Sequence, residues 1–354
     1  MSFESIPDVG GQNHFNLFRL LAASAVIVSH AYSLTLGAEA PDPLQTLVGV
    51  DLGTTAVFAF FAISGYFISL SFERRGSNGD FILARVTRIF PGLIVVTLFA
   101  AFLVGPLLSA LPMPAYFASS VVWLYPLRTV ALVGPLLSPE LPGLFIHNPV
   151  HHVNGSLWTL LFEVACYIGL FSAGILGFLR RERFPWLLAA WLPVCLIVIY
   201  SGAFPNIHFF AIFSVPFVIG MIVYQYRPSG ILNPWVGLLW FALAFALGLS
   251  GHFNEEIWSS AVAYEVLCLG FAPAPALLGY NSGGDFSYGT YIYGYLVGQV
   301  LVDLLPGMTP VELMALSLPA AIMCGVLSWF YVERPALNLR KTILASRMKA
   351  SAPS

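Results

Sequence analysis

Charge is what this sequence lacks. Only 9% of its 354 residues are Asp, Glu, Lys or Arg, where a soluble domain carries about a quarter. That deficit excludes a soluble globular domain. The chain lacks a basic domain or a nucleic-acid-binding motif, so nucleic acid is excluded as a partner. Cysteine is scarce. Cys166, Cys195, Cys268 and Cys324 each fall inside an apolar run, and no pair has metal or redox spacing. They read as buried packing residues, and no metal site is expected. The start, MSFESIPDVGGQNHF, has no basic n-region, and the first apolar run has no small-residue cleavage site at its end. That run therefore reads as a retained membrane helix rather than a signal peptide. No strong internal repeat is visible, which lowers the case for an inverted-repeat transporter.

What fills the chain is apolar residue, 58% of the total, arranged in long runs. Residues 16–36, 47–70, 81–111, 155–179, 185–202, 206–226, 231–250, 257–279, 286–305 and 311–332 each read as a helix. Each is long enough, with tilt, to cross a hydrocarbon core of about 30 Å. The fold class is an all-α polytopic membrane protein of about ten transmembrane helices. The lipid bilayer is its first partner. The stretch 112–152 contains Pro126 and Arg128 in an apolar run. It is expected to be re-entrant or interfacial, because non-helical backbone at membrane depth must be covered by protein.

Charge placement sets the orientation. With the N-terminus in the cytosol, cytosolic segments hold 14 of the 15 Lys and Arg residues and only Arg128 lies outside, as the positive-inside rule requires. Both termini are then cytosolic. Three regions follow: a lead at 1–15, a single transmembrane domain at 16–333 and a basic tail at 334–354.

The first helix, NLFRLLAASAVIVSHAYSLTL, carries Arg19 and His30. Eleven residues return to within roughly 20° of the same helix face, with a rise of about 16 Å. Ionisable groups inside a membrane segment are a functional hypothesis by default; the bland reading makes Arg19 an interfacial anchor and His30 a packing residue. His30, Asp51, Asn154, Trp158, Glu163 and Glu265 all fall in the outer halves of their helices. Capping at helix starts is a strong alternative for Asp51 and Asn154. Glu163 is too deep to cap, and it and His30 are the acid/base candidates. At the inner end, Arg85 and Arg88 share a helix face and suit an anionic, phosphate-bearing ligand.

Several ordered motifs carry a family resemblance. FRLLAASAVIVSH holds Arg19 and His30. GVDLGTTAVFAFFAISGYFIS holds Asp51, Phe60, Phe61, Ser64 and Gly65. ARVTRIFP holds Arg85, Arg88 and Pro91. NGSLWTLLFEV holds Ser156, Trp158, Thr159 and Glu163. FSYGTYIYGYLV holds Ser287, Tyr288 and Tyr291, and YVERP holds Glu333. Together they resemble the acyltransferase-3 family of membrane-bound acyltransferases. Gly294 and Leu296 stand where many members carry His and Pro. The chain also has no length for the extracytoplasmic domain that some members append.

The resemblance implies transfer of an acyl group, most often acetyl, from cytosolic acyl-CoA to a carbohydrate hydroxyl, at a bacterial inner membrane. Acyl-CoA is then a co-substrate, and no permanently bound cofactor is expected. Arg85 and Arg88 hold its phosphates. His30 acts as general base or transient acyl acceptor. Arg19 steers the donor, and Glu163 orients His30 or handles its proton. Asp51 joins the catalytic set, and Ser64, Asn154, Trp158 and Tyr288 line the pocket. Glu333 is expected to pair with an arginine at the cytosolic boundary. A proton-coupled transporter or flippase of a lipid-linked saccharide is the competing reading, because buried His, Asp and Glu also make proton relays. The Arg-x-x-Arg turn and the helix 1 spacing favour the anionic donor.

Overall fold

The computed structural model describes residues 13–132, 140–226, 230–273 and 283–350, with 205, 206, 341 and 344–350 by backbone alone. The lead before residue 13, residues 133–139 of the interfacial stretch, Arg227, residues 274–279 of the expected eighth helix, and 351–354 lie outside the described residues. Among the described residues all regular structure is helical.

The ten expected helices are all helical. They are α1 (Phe15–Leu36), α3 (Leu52–Glu73), α4 (Asn78–Phe99), α8 (Thr159–Ile175), α9 (Phe184–Ser201), α10 (Pro205–Tyr226), α11 (Pro234–Leu249), α12 (Glu255–Gly270), α13 (Ser287–Leu304) and α14 (Pro310–Ser328). Among the described residues, seven segments are long and apolar enough to cross a membrane: those built on α1, α3, α4, α8, α9, α10 and α14. Large side chains such as Trp186, Leu239 and Met323 stand exposed on α9, α11 and α14, as lipid-facing positions do.

Several boundaries differ from the sequence reading, each for a local reason. The second helix starts at Leu52 rather than 47 because a short helix, α2 (Pro43–Val48), precedes it. Gly49 ends α2 in the left-handed conformation at φ 95°, a stop that suits glycine. The third helix does not run unbroken to 111. A π-helical turn at Ala100–Val104 leads into α5 (Gly105–Leu108). Among its described residues, the 112–152 stretch holds α6 (Met113–Ala118) and α7 (Ser120–Val130). An 11-residue helix is about 16 Å long, short of the roughly 30 Å needed to span. The tail is helical as α15 (Arg334–Ala350), joined to α14 through a π-helical turn at Trp329–Glu333.

The chain forms two compact units interleaved in sequence. The first comprises residues 1–22, 41–74 and 159–283. The second comprises residues 23–40, 75–158 and 284–354. In the first, α3 is buried along most of its length and packs on α8, α10 and α12. A Cβ on Gly65 would lie 1.9 Å from the Phe217 carbonyl oxygen, and one on Gly220 would lie 2.2 Å from that of Ala62. The α3 and α10 backbones therefore touch at two glycines, as in tight helix pairs in lipid. In the second unit, α13 is the buried centre, packed on α14, on α4 and on the 3-10 turn at Gly155–Trp158. The second part of α1 joins it through a core of Ala31, Leu34, Val150, Tyr295, Val302 and Leu313.

Candidate functional site

In the first unit, Glu163 is the focus. It sits half-buried on α8. Ser64 Oγ donates to Glu163 Oε1 at 3.2 Å, and the Tyr167 hydroxyl, one helical turn on, donates to the same oxygen. Ser64 and Gly65 thus split the work of their motif: the serine bridges to α8 and the glycine admits α10. The Arg19 guanidinium lies over the Phe67 ring, 5.1 Å from its centroid. This cation–π contact is backed by Phe15, whose ring meets Phe67 and Tyr66. Asp51 is the N-cap of α3. Its two carboxylate oxygens accept from Thr54 N and Thr54 Oγ1, each at 2.7 Å.

The second unit holds His30, Arg85, Arg88, Asn154, Trp158 and Tyr288. The His30 ring meets the Tyr295 ring edge-on, with centroids 5.0 Å apart and planes at 80°. Tyr295 is buried, and a Cβ on Gly155 would lie 2.8 Å from its ring. The glycine of the Asn-Gly-Ser motif is therefore what lets Tyr295 stand where it supports His30. Ser156 Oγ donates to Asn154 Oδ1 at 2.9 Å, and Asn154 Nδ2 donates to the Ile292 carbonyl at 2.7 Å. The Tyr291 hydroxyl donates to the Ser156 carbonyl at 2.6 Å. These bonds pin the turn after residue 153 onto α13. Trp158 ends that turn, 38% exposed.

Arg88 is more engaged than its spacing with Arg85 suggests. Its Nη2 donates to Asp285 Oδ2 at 2.5 Å and its Nη1 to Glu333 Oε2 at 3.4 Å. The expected pairing of Glu333 with an arginine is therefore present. Ser328 Oγ donates to the other Glu333 oxygen at 2.9 Å. The π-helical turn at Trp329–Glu333 delivers that carboxylate, in keeping with the frequent occurrence of such turns at functional positions. Tyr288 lies under the Arg88 guanidinium at 5.6 Å and donates its hydroxyl to the Ile89 carbonyl at 2.6 Å. Arg85 lies over Phe81 at 5.9 Å.

Asp285, Tyr167 and Tyr295 were not singled out from the sequence. Asp285 stands two residues before Ser287 of the late motif. Tyr288, Tyr291 and Tyr295 follow at helical spacing and share one face, the signal that marks Tyr295. Among the described residues no group of three or more His, Cys, Asp or Glu is placed to hold a metal ion.

Comparison with known proteins bears on the family. A family model described as an acyltransferase domain matches residues 13–334. The chain is 29% identical over 343 residues to an O-acetyl transferase of Shigella phage Sf6, covering 92% of this chain and 96% of that protein. It is 30% identical over 384 residues to nodulation protein 10 of Rhizobium leguminosarum bv. viciae, covering 97% of this chain and 98% of that protein. No solved structure matches. The motifs, the all-helical membrane architecture and the family model agree: the chain belongs to the acyltransferase-3 family.

Proposed function

We propose that the protein transfers an acyl group, most often acetyl, from cytosolic acyl-CoA to a hydroxyl of an envelope or exported carbohydrate, within a bacterial inner membrane. Membership of the acyltransferase family over residues 13–334 carries this reading. The O-acetyl transferase relative supports an oxygen acceptor and an acetyl donor.

In the direct route, His30 takes the proton of the acceptor hydroxyl as the oxygen attacks the thioester carbonyl. The C–O bond forms, the C–S bond breaks, and the thiolate leaves to be protonated as free CoA. In the two-step route the imidazole itself is acylated first and then gives the acyl group to the hydroxyl. Tyr295 fixes the ring plane in either case. Arg85 and Arg88 meet the donor phosphates, Arg88 while also held by Asp285 and Glu333. Arg19 steers the anionic donor, and Glu163 accepts or returns a proton. Asp51 caps α3, and we assign it no step.

The test is label transfer from radioactive acetyl-CoA in inverted membrane vesicles, wild type against His30→Ala. Labelled glycan or labelled protein in wild type, lost in the variant, is the expected result. Silence from wild type across acyl donors and envelope glycans, at normal expression, sinks the reading and turns attention to transport.

A further inference from the structure

The second unit contains a cavity of about 630 Å³ at the C-terminal ends of α1 and α13, within the range of about 300–1,000 Å³ usual for ligand sites. We propose that it binds the acceptor carbohydrate, an extension that rests on the acyl-transfer reading above.

Its position follows from helix register. Ile27 packs at Gly294, His30 meets Tyr295, and Leu34 packs at Gly298. Numbers rise together on both helices, so α1 and α13 run parallel here. Thr35 and Val302 line the cavity. Thr35 is five residues past His30, about 7.5 Å further along the helix axis. The cavity thus lies further along the helix axis than the imidazole, at the end that charge placement assigns to the extracytoplasmic side.

Its lining selects a neutral, hydroxyl-rich ligand. His147, Asp303, Thr35 and Asn148 are interspersed with apolar Ile146 and Met308. No lysine or arginine is among the described lining residues. A CoA phosphate would meet the Asp303 carboxylate with no fixed cation to answer it. A sugar offers hydroxyls to the polar groups and C–H faces to the apolar ones. A carboxylate oxygen is a strong acceptor for hydroxyl donors.

The cavity wall is also preformed. Gln299 is fully buried on α13, one helical turn before Asp303. Asn148 Nδ2 donates to its Oε1 at 2.8 Å and to its carbonyl at 3.0 Å. Gln299 Nε2 donates to the Val150 carbonyl at 2.8 Å and the His152 carbonyl at 2.5 Å. The loop is held at both ends of the 148–152 stretch. Just before it, Phe145 takes a left-handed φ of 56° with its side chain buried. Such backbone outliers on bulky residues persist only when the surroundings over-determine them, and they cluster at ligand sites. A rigid, strained loop beside a polar cavity is built to hold something.

The experiment uses the full chain in right-side-out vesicles. Met308→Cys is labelled with a membrane-impermeant maleimide, with wild type as background. The probes are a glycan extract of the host envelope and acetyl-CoA. Protection by the glycan extract and none by acetyl-CoA is expected. Protection by acetyl-CoA, or by neither probe, overturns the proposal. In the transfer assay, Asp303→Asn and His147→Gln should each raise the half-saturating glycan concentration about tenfold. The half-saturating acetyl-CoA concentration should stay unchanged; a shift in it instead overturns the assignment. Glycan protection in a protein that transfers no label separates the two readings: the cavity stands and the acyl-transfer step falls.

Discussion

Arg88 donates to Asp285 at 2.5 Å across 197 residues of sequence, and the pair ties α4 to the segment that leads into α13. Glu333, only 1% exposed, takes the other arm of the guanidinium, and the Tyr288 ring covers its face. One cation therefore answers two carboxylates. In the Arg-x-x-Arg motif, Arg88 is thus held by both Asp285 and Glu333.

Removing Arg88 should cost fold before it costs binding. Arg88→Ala strands two carboxylates, and an uncompensated buried charge costs about 3 kcal/mol or more. A lower unfolding temperature in detergent is expected. Neutralising the stranded partners in Arg88→Ala with Asp285→Asn and Glu333→Gln should recover much of it. An unfolding temperature for Arg88→Ala that the two neutralising changes fail to raise would contradict this account.

The α3–α10 contact makes a sharp prediction about packing. Gly65→Ala drives a methyl group into the Phe217 carbonyl, and backbone cannot step aside as a side chain can. Overpacking of this kind costs about 1–3 kcal/mol or more. The control is Gly169→Ala on α8, where a Cβ meets nothing within 4 Å. There the change should stabilise by about 0.5–1 kcal/mol, the helical preference for alanine over glycine. Paired unfolding temperatures moving in opposite directions are the expected outcome.

Local features were legible in the sequence because they depend on residues close along the chain. Apolar run length located ten of the eleven long helices among the described residues, missing only α15, and Pro126 with Arg128 marked the 112–152 stretch. Run length alone placed the start of the second helix too early. It could not register Asp42, whose carboxylate caps α2 and also accepts from Leu52 N at 2.7 Å. Partnerships were legible only in kind. That Glu333 meets an arginine follows from chemistry, but which arginine, and that Asp285 joins it, is set by how α4 and α13 pack. Tyr295 and Gln299 were passed over because each looks like ordinary helix filler. Their roles rest on Gly155 and on the 148–152 loop, well over a hundred residues away.

Gln299 should behave as a loop clamp. Gln299→Leu keeps the side-chain bulk and removes the side-chain bonds to Asn148, Val150 and His152, leaving the Asn148 bond to the backbone carbonyl. Amide exchange measured by mass spectrometry should quicken over 145–152 while α13 itself stays protected. Each lost bond is worth about 0.5–1.5 kcal/mol, enough for a severalfold faster exchange. Unchanged exchange in this loop would mean that its apolar contacts, not the glutamine, hold it.

Tyr295 meets His30 with its ring, so ring and hydroxyl should separate on mutation. Tyr295→Phe keeps the edge-on contact and should retain transfer from acetyl-CoA within about threefold. Tyr295→Ala removes the edge-on support of the imidazole. An aromatic pair contributes about 0.5–1.5 kcal/mol beyond its buried area, so positioning alone predicts a loss of about two- to tenfold in rate. The loss should fall on kcat, with the half-saturating acetyl-CoA concentration unchanged, since Tyr295 is a positioning residue that does not touch the donor. Gly155→Ala should phenocopy Tyr295→Ala, because its methyl group would enter the space of the Tyr295 ring. If Tyr295→Phe loses as much as Tyr295→Ala while both fold, the hydroxyl acts in the chemistry and the ring-positioning argument fails.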